Sequence, residues 1–348
     1  MGGTQTVIDQ LKELTAVSVI VDNTQRAVLG LKEGRIAALA VLIFFSGVVG
    51  AAEIRVLPVQ QPESGKVFAA SSATIYFEVL GGAEARGARP ATPLIVVNGG
   101  PGFDHNYLHC SKAWDEIARA RPVVFYDQRG NGRSPGLKRD QTCTLADQIQ
   151  DLDDLRANLG YERVNVLGHS WGGYLAMAYA ARHPERIERL IVCDSAAPKW
   201  DDTEFLFKYV FPERLEQQDG YAFADQLGDK AASEANIKIY LGLLFYSEEK
   251  RDLFIAGASN YHYSKEINTL LNSDLKRFDL NPELRKFHFP TLVITGRYDM
   301  NVAPSTAFRI HRQISGSEFL VFEKSGHLPF YEEPEKFAGA ITRFLSGP

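Results

Sequence analysis

The 348 residues are 45% hydrophobic, enough to bury one large core, or a core with a smaller unit attached to it. The chain carries 38 basic against 43 acidic residues, a net charge of -5, with no long run of either sign. That balance excludes the concentrated basic face a nucleic-acid partner requires, and the mild acidity serves solubility.

The first feature along the chain is an uncharged run of 17 residues, Ile36 to Ala52, preceded by Lys32 and Arg35 and followed by Glu53. With the small residues Gly50 and Ala52 at its end, this is the layout of a secretory signal. A tilted membrane anchor is the alternative, although a span needs about 20 apolar residues; a buried helix is the plainer one. Residues 1–34 are long for the region preceding such a run, which a true start nearer Lys32 would explain. The expected plan is residues 1–52 as extension and signal or anchor, 53–198 as the first part of a core domain, 199–287 as a helical cap and 288–348 as the rest of the core. The expected location is outside the cytoplasm, periplasmic or secreted, with membrane contact through residues 36–52.

From about residue 64, β-branched apolar runs alternate with helical stretches, the pattern of a mostly parallel sheet with crossover helices. Strands are predicted at Val67–Ala70, Thr74–Leu80, Leu94–Asn98, Val123–Asp127, Val164–Gly168, Leu190–Asp194, Leu292–Thr295 and Phe319–Glu323, the first two as an antiparallel hairpin. Residues 83–93 read as a loop. Helices are predicted at Leu145–Leu159, capped by Thr144 and stopped by Gly160, at Trp171–Arg182, at Ser305–Ile314 and at Glu335–Leu345 after Pro334. Between Lys199 and Phe287 the alternation gives way to helices rich in Phe, Tyr and Leu. The fold class is α/β, an eight-stranded mostly parallel sheet with a helical insertion.

There are three cysteines, Cys110, Cys143 and Cys193. In an exported protein Cys110 and Cys143 are the candidates for pairing, and Cys193 reads as a small core residue. Their spacings match no metal site.

The chemistry centres on Gly168-His169-Ser170-Trp171-Gly172-Gly173, with a strand before it and a helix after it. Alone, G-x-S-x-G is weak in a chain with 29 glycines. Between a strand and a helix it describes a nucleophile held on a sharp turn at a helix N-terminus, with Ser170 as the nucleophile. A serine hydroxyl needs a base, and the base needs an orienting group. In chain order these fall to Asp299, after one strand, and His327, after the next. Asp194 is the rival acid; the other histidines, including His105, His109 and His169, read as surface, turn or helix residues. Asn98-Gly99-Gly100-Pro101-Gly102 follows the third strand. Its Gly100 N–H and that of Trp171 are the candidate donors to a developing oxyanion, each worth about 3 kcal/mol. No metal or organic cofactor is implied, because these groups supply nucleophile, base and charge stabilisation.

N-G-G-P-G, then Asp127-Gln128-Arg129-Gly130-Asn131-Gly132-Arg133-Ser134, then G-H-S-W-G-G together resemble the proline iminopeptidase family of α/β hydrolases, over nearly all of residues 64–345. The resemblance implies release of an N-terminal residue, often proline, from short peptides, and a cis Gly100–Pro101 bond. It also implies that acidic cap residues receive the substrate amine. Glu234 and Glu266 match those positions; a solvated helix face is the other reading of each. Asn98 departs from the family's usual His at this place, which touches substrate choice more than reaction type. An esterase, amidase or lactonase acting on a small acyl substrate with the same Ser170, His327 and Asp299 is the competing reading. A ligand receptor with an idle triad is a third, which nothing in the sequence favours. Dehalogenase and epoxide hydrolase chemistry is disfavoured, because both place Asp where Ser170 stands.

Overall fold

The computed structural model describes residues 65–81, 91–139, 141–226, 229–257 and 261–347. The apolar segment 36–52 and most of the loop 83–93 lie outside the described residues. Among those described, no helix is long and apolar enough to cross a membrane.

Eight strands form one sheet: β1 (Lys66–Ala69), β2 (Thr74–Leu80), β3 (Leu94–Val97), β4 (Val123–Asp127), β5 (Val164–His169), β6 (Ile187–Cys193), β7 (Thr291–Gly296) and β8 (Glu318–Phe322). Their spatial order is β1-β2-β4-β3-β5-β6-β7-β8. The pairs β1–β2 and β2–β4 are antiparallel, and the five pairs from β4–β3 across to β7–β8 are parallel. The central strands are buried on both faces, which is why they read as unbroken apolar runs. Alternate residues supply two cores. Ile95, Val97, Val124 and Val166 face one side, and Leu94, Val96, Val123 and Phe125 the other.

The core helices are α1 (Ala113–Ala118), α2 (Leu145–Asn158) and α3 (Trp171–Arg182) before β6, then α10 (Pro304–Gln313), α11 (Pro329–Glu332) and α12 (Pro334–Ser346) after β7. Thr144 caps α2 as expected: its hydroxyl accepts from Asp147 N at 3.2 Å, and the Asp147 carboxylate accepts from Thr144 N at 2.9 Å. Between β6 and β7 run α4 (Phe207–Val210), α5 (Pro212–Gln226), α6 (Lys230–Gly242), α7 (Glu248–Gly257), α8 (Lys265–Leu275) and α9 (Asn281–Leu284). The element pattern therefore follows the expectation, with β1 and β8 each one residue earlier and β6 lengthened at its start. β6 starts at Ile187 rather than Leu190, because its first polar residues, Glu188 and Arg189, are half-buried at the sheet's end. Helix α1 and the 3-10 turn Asn106–Cys110 are too short to leave a periodic signal.

The expected Cys110–Cys143 pairing is corrected: all three cysteines are free. Cys143 belongs to the core on one face of the sheet and Cys110 packs against the core on the other.

The D-Q-R-G-N-G-R-S segment is the fold's polar staple. Arg129, 1% exposed, forms a two-pronged ion pair with the fully buried Asp151 at 2.6 and 2.7 Å and donates to the Thr142 carbonyl and the Ser72 hydroxyl. Removing one member of a buried pair strands the other charge. Asp151→Ala is expected to lower stability by about 3–5 kcal/mol, read as a drop in the urea midpoint with an unchanged slope.

Candidate active site

β5 ends in the turn that carries Ser170. The serine has φ 58° and ψ -123°, a conformation side chains rarely adopt, and is the first of only two non-glycine residues with positive φ among those described. The flanking glycines make the turn possible. A Cβ on Gly168 would meet the Gly172 carbonyl, one on Gly172 the Val97 carbonyl, and one on Gly173 the Ser195 side chain. The turn is anchored by Ser170 N donating to Cys193 O at 2.9 Å.

His327 and Asp299 come from the loops after β8 and β7. His327 Nδ1 donates to Asp299 Oδ2 at 2.7 Å, and Asp299 Oδ1 accepts from the N–H groups of Asn301 (2.9 Å) and Val302 (2.8 Å). Asp299 is fully buried and His327 nearly so. Ser170 and His327 line one cleft with Gly99, Gly100 and His169, walled by the apolar and aromatic side chains Phe103, Tyr107, Tyr240, Leu244, Phe254 and Tyr261. Within it, His327 Nε2 meets Asn301 Nδ2 at 3.1 Å, and no hydrogen bond joins it to the Ser170 hydroxyl.

The rival acid, Asp194, lies beside Asp299 rather than on His327. It has φ 45°, and its Oδ1 accepts from Gly296 N at 2.8 Å. Burial, and then the Asp299 charge, push its carboxyl well above the usual range.

On the opposite wall, the Gly100–Pro101 bond is cis and Gly100 has φ 139°. Among the described residues, no hydrogen bond is made by the N–H of Gly100 or of Trp171, and Gly100 lines the cleft. Asn98 shapes this turn from beneath: its amide donates to the carbonyls of Gly99 (3.0 Å) and Phe103 (2.8 Å). Gln128 Nε2 donates to Asn98 O at 3.0 Å, and Gln128 Oε1 accepts from the Trp171 indole at 2.8 Å. One glutamine thus spans the two segments that carry the free N–H groups.

Glu234 and Glu266 are both exposed, on α6 and in the first turn of α8, and neither lines the cleft. Glu234 is near enough to Tyr261, a lining residue, for its charge to help burial raise the pKa of that hydroxyl.

Three contributors escaped the sequence reading. Tyr107 accepts from Gly99 N at 2.6 Å and donates to His169 Nδ1 at 2.7 Å; His169 Nε2 donates to the His327 carbonyl at 2.8 Å. Burial, reinforced by the nearby His327 ring, holds His169 well below its usual pKa, so it stays neutral and this donor order is fixed. The third is buried Glu332, which accepts from the N–H groups of Tyr246, Ser247 and Gly326 and so ties the segment after α6 to the His327 loop. Tyr107 and Glu332 lie in no motif; His169 lies within G-H-S-W-G-G, but nothing in that motif shows its link to the His327 loop.

The family profile described as "alpha/beta hydrolase fold" matches residues 92–334. A proline iminopeptidase of Clostridium botulinum is 31% identical over 285 residues, 78% of this chain and 94% of that protein. One of Saccharolobus solfataricus is 30% identical, over 72% of this chain and 84% of that protein. Among solved structures, an alpha/beta fold family hydrolase of Bacillus anthracis superposes with TM-score 0.67 at 20% identity, covering 81% of this chain and 99% of that one. An esterase of Exiguobacterium antarcticum superposes with TM-score 0.63 at 22% identity, over 81% and 100%; at these identities both show the fold alone.

Tyr107→Phe removes the hydroxyl between two buried groups and leaves Gly99 N–H and His169 Nδ1 unpaired. The expected loss is about 1–3 kcal/mol, read as a lower thermal midpoint. With its fold, its Ser170 turn and its relatives in agreement, the chain belongs to the α/β-hydrolase fold family and, within it, to the proline iminopeptidase group.

Proposed function

We propose that this protein is a serine aminopeptidase that releases an N-terminal residue, proline or a similar small apolar one, from short peptides through an acyl-enzyme on Ser170. The observation that carries this reading is one cleft lined by Ser170, by Gly100 with its unpaired N–H and by His327, with Asp299 buried behind that ring. Asn301 Nδ2 yields its place on His327 Nε2 as the serine hydroxyl swings onto it. Ser170 Oγ then attacks the substrate carbonyl while His327 takes its proton. The carbonyl oxygen becomes an oxyanion held by the N–H groups of Gly100 and Trp171. On collapse, His327 returns the proton to the leaving amine, and the acyl group stays on Ser170. A water, deprotonated by the same ring, releases the acyl product and restores the serine.

The aromatic walls suit the ring of an N-terminal proline. In this reading residues 199–287 act as a cap over the core (53–198 and 288–348), and Glu234, whose charge reaches Tyr261, receives the substrate amine at the rim. Glu266, in the first turn of α8, is the second carboxylate assigned to that amine. The competing esterase, amidase or lactonase reading has one observation in its favour: among the described residues, no carboxylate lines the cleft itself. We also propose export directed by residues 36–52; a mature chain beginning near Glu53 supports it, and one retaining Met1 or Gly2 refutes it.

Ser170→Ala is expected to abolish hydrolysis of every substrate, and Asp299→Asn to lower kcat by about 10⁴-fold, measured on Pro-, Ala- and Phe-arylamides beside short acyl esters. Glu234→Gln and Glu266→Gln should each weaken arylamide turnover at least about tenfold, the loss of a charge-assisted bond of 1.5–3 kcal/mol, while leaving acetyl esters unchanged. Equal losses on both substrate types would remove the amine-binding assignment.

A further inference from the structure

Away from the Ser170 cleft, Glu78 on β2 faces two histidines that bracket the 3-10 turn Asn106–Cys110: His105 just before it and His109 inside it. Glu78 is 3% exposed, His105 0% and His109 17%. Glu78 Oε2 lies 3.3 Å from His105 Nε2 and 3.2 Å from His109 Nε2. All three atoms are buried without a well-formed hydrogen bond. The two contacts are at ion-pair distance but lack hydrogen-bond geometry, and all three atoms converge on one point.

The surroundings show which atoms are on offer. His105 Nδ1 bonds Asp127 Oδ1 at 2.6 Å, which leaves Nε2 turned toward Glu78. A carboxylate on the far nitrogen is the usual companion of a metal-bound histidine. The other oxygen of Glu78, Oε1, is occupied by the Tyr76 hydroxyl (2.5 Å) and Arg133 Nη1 (2.8 Å), so the carboxylate offers Oε2 alone. Donor atoms bound to zinc at about 2.0–2.1 Å in a tetrahedron stand roughly 3.3 Å apart, which matches both measured separations. Two imidazoles and one carboxylate suit zinc better than calcium or magnesium, which want oxygen ligands.

We propose that Glu78, His105 and His109 form a zinc site, with water as the fourth ligand on the partly exposed His109 side. The ion would clip β2 to the turn that follows Gly99–Phe103, and through Asp127 to the end of β4. Its part is structural, and hydrolysis at Ser170 does not run through it.

The test uses the full-length chain, stripped of metal and titrated with zinc, with bound metal counted after gel filtration and the thermal midpoint recorded. One retained zinc per chain and a midpoint raised by a few degrees are expected, and cobalt in its place should give the visible bands of a tetrahedral nitrogen–oxygen site. His109→Gln and Glu78→Gln should each lose the retained zinc and the midpoint shift; His109→Gln should keep the midpoint and hydrolysis of the metal-free wild type. No retained zinc with an unmoved midpoint would overturn the site, leaving protons on the two rings to satisfy Glu78. So would equal retention by wild type and both variants, or zinc inhibition without stabilisation, which would place the ion on Asp194, Asp299 and His327.

Discussion

The site is built around one strained backbone position. Ser170 sits at φ 58° because the chain must pass from β5 into α3 while keeping the hydroxyl clear of the sheet. Such a conformation persists only where its surroundings enforce it. The enforcement comes from glycines that let neighbouring backbones approach, and from the bond to the Cys193 carbonyl on the adjacent strand. The parallel order β3-β5-β6-β7-β8 then brings the loops after β3, β5, β7 and β8 to one edge of the sheet, where open α/β sheets place their sites.

A second layer holds that edge together. The chain Gly99 N–H to Tyr107, Tyr107 to His169 and His169 to the His327 carbonyl crosses from the Gly99–Gly100 side of the cleft to the His327 side. Gln128 makes a parallel crossing beneath, from Asn98 to Trp171. The Gln128 crossing is buried and the Tyr107 crossing partly so, and each has a single consistent donor direction. Such networks specify one arrangement when complete and are costly when broken. The resting position of Asn301 against His327 Nε2 is the one element that must move before the serine is engaged.

Much of this was legible in the sequence, for physical reasons. Central strands buried on both faces leave unbroken apolar runs, and a turn that tolerates only small residues leaves G-x-S-x-G. The loop positions of Asp299 and His327 follow from chain order once the strands are drawn. What stayed hidden depends on contacts between distant segments. Tyr107, His169 and Asn301 are ordinary residues in sequence and gain their places only through packing. The Glu78–His105–His109 cluster joins β2, the second strand of the sheet, to a turn too short to show periodicity. Cys110 and Cys143 looked pairable until the sheet separated them. Glu234 and Glu266 fit the family's local pattern, yet their side chains end on exposed helix faces.

The central proposition is that Ser170 is an activated nucleophile. The most direct measurement is labelling of the folded protein with a fluorophosphonate, followed by peptide mass spectrometry. The structure predicts one phosphonylated residue, Ser170, whose labelling falls sharply in His327→Ala. Absence of any adduct, or modification of some other serine at an unchanged rate in that variant, would contradict it.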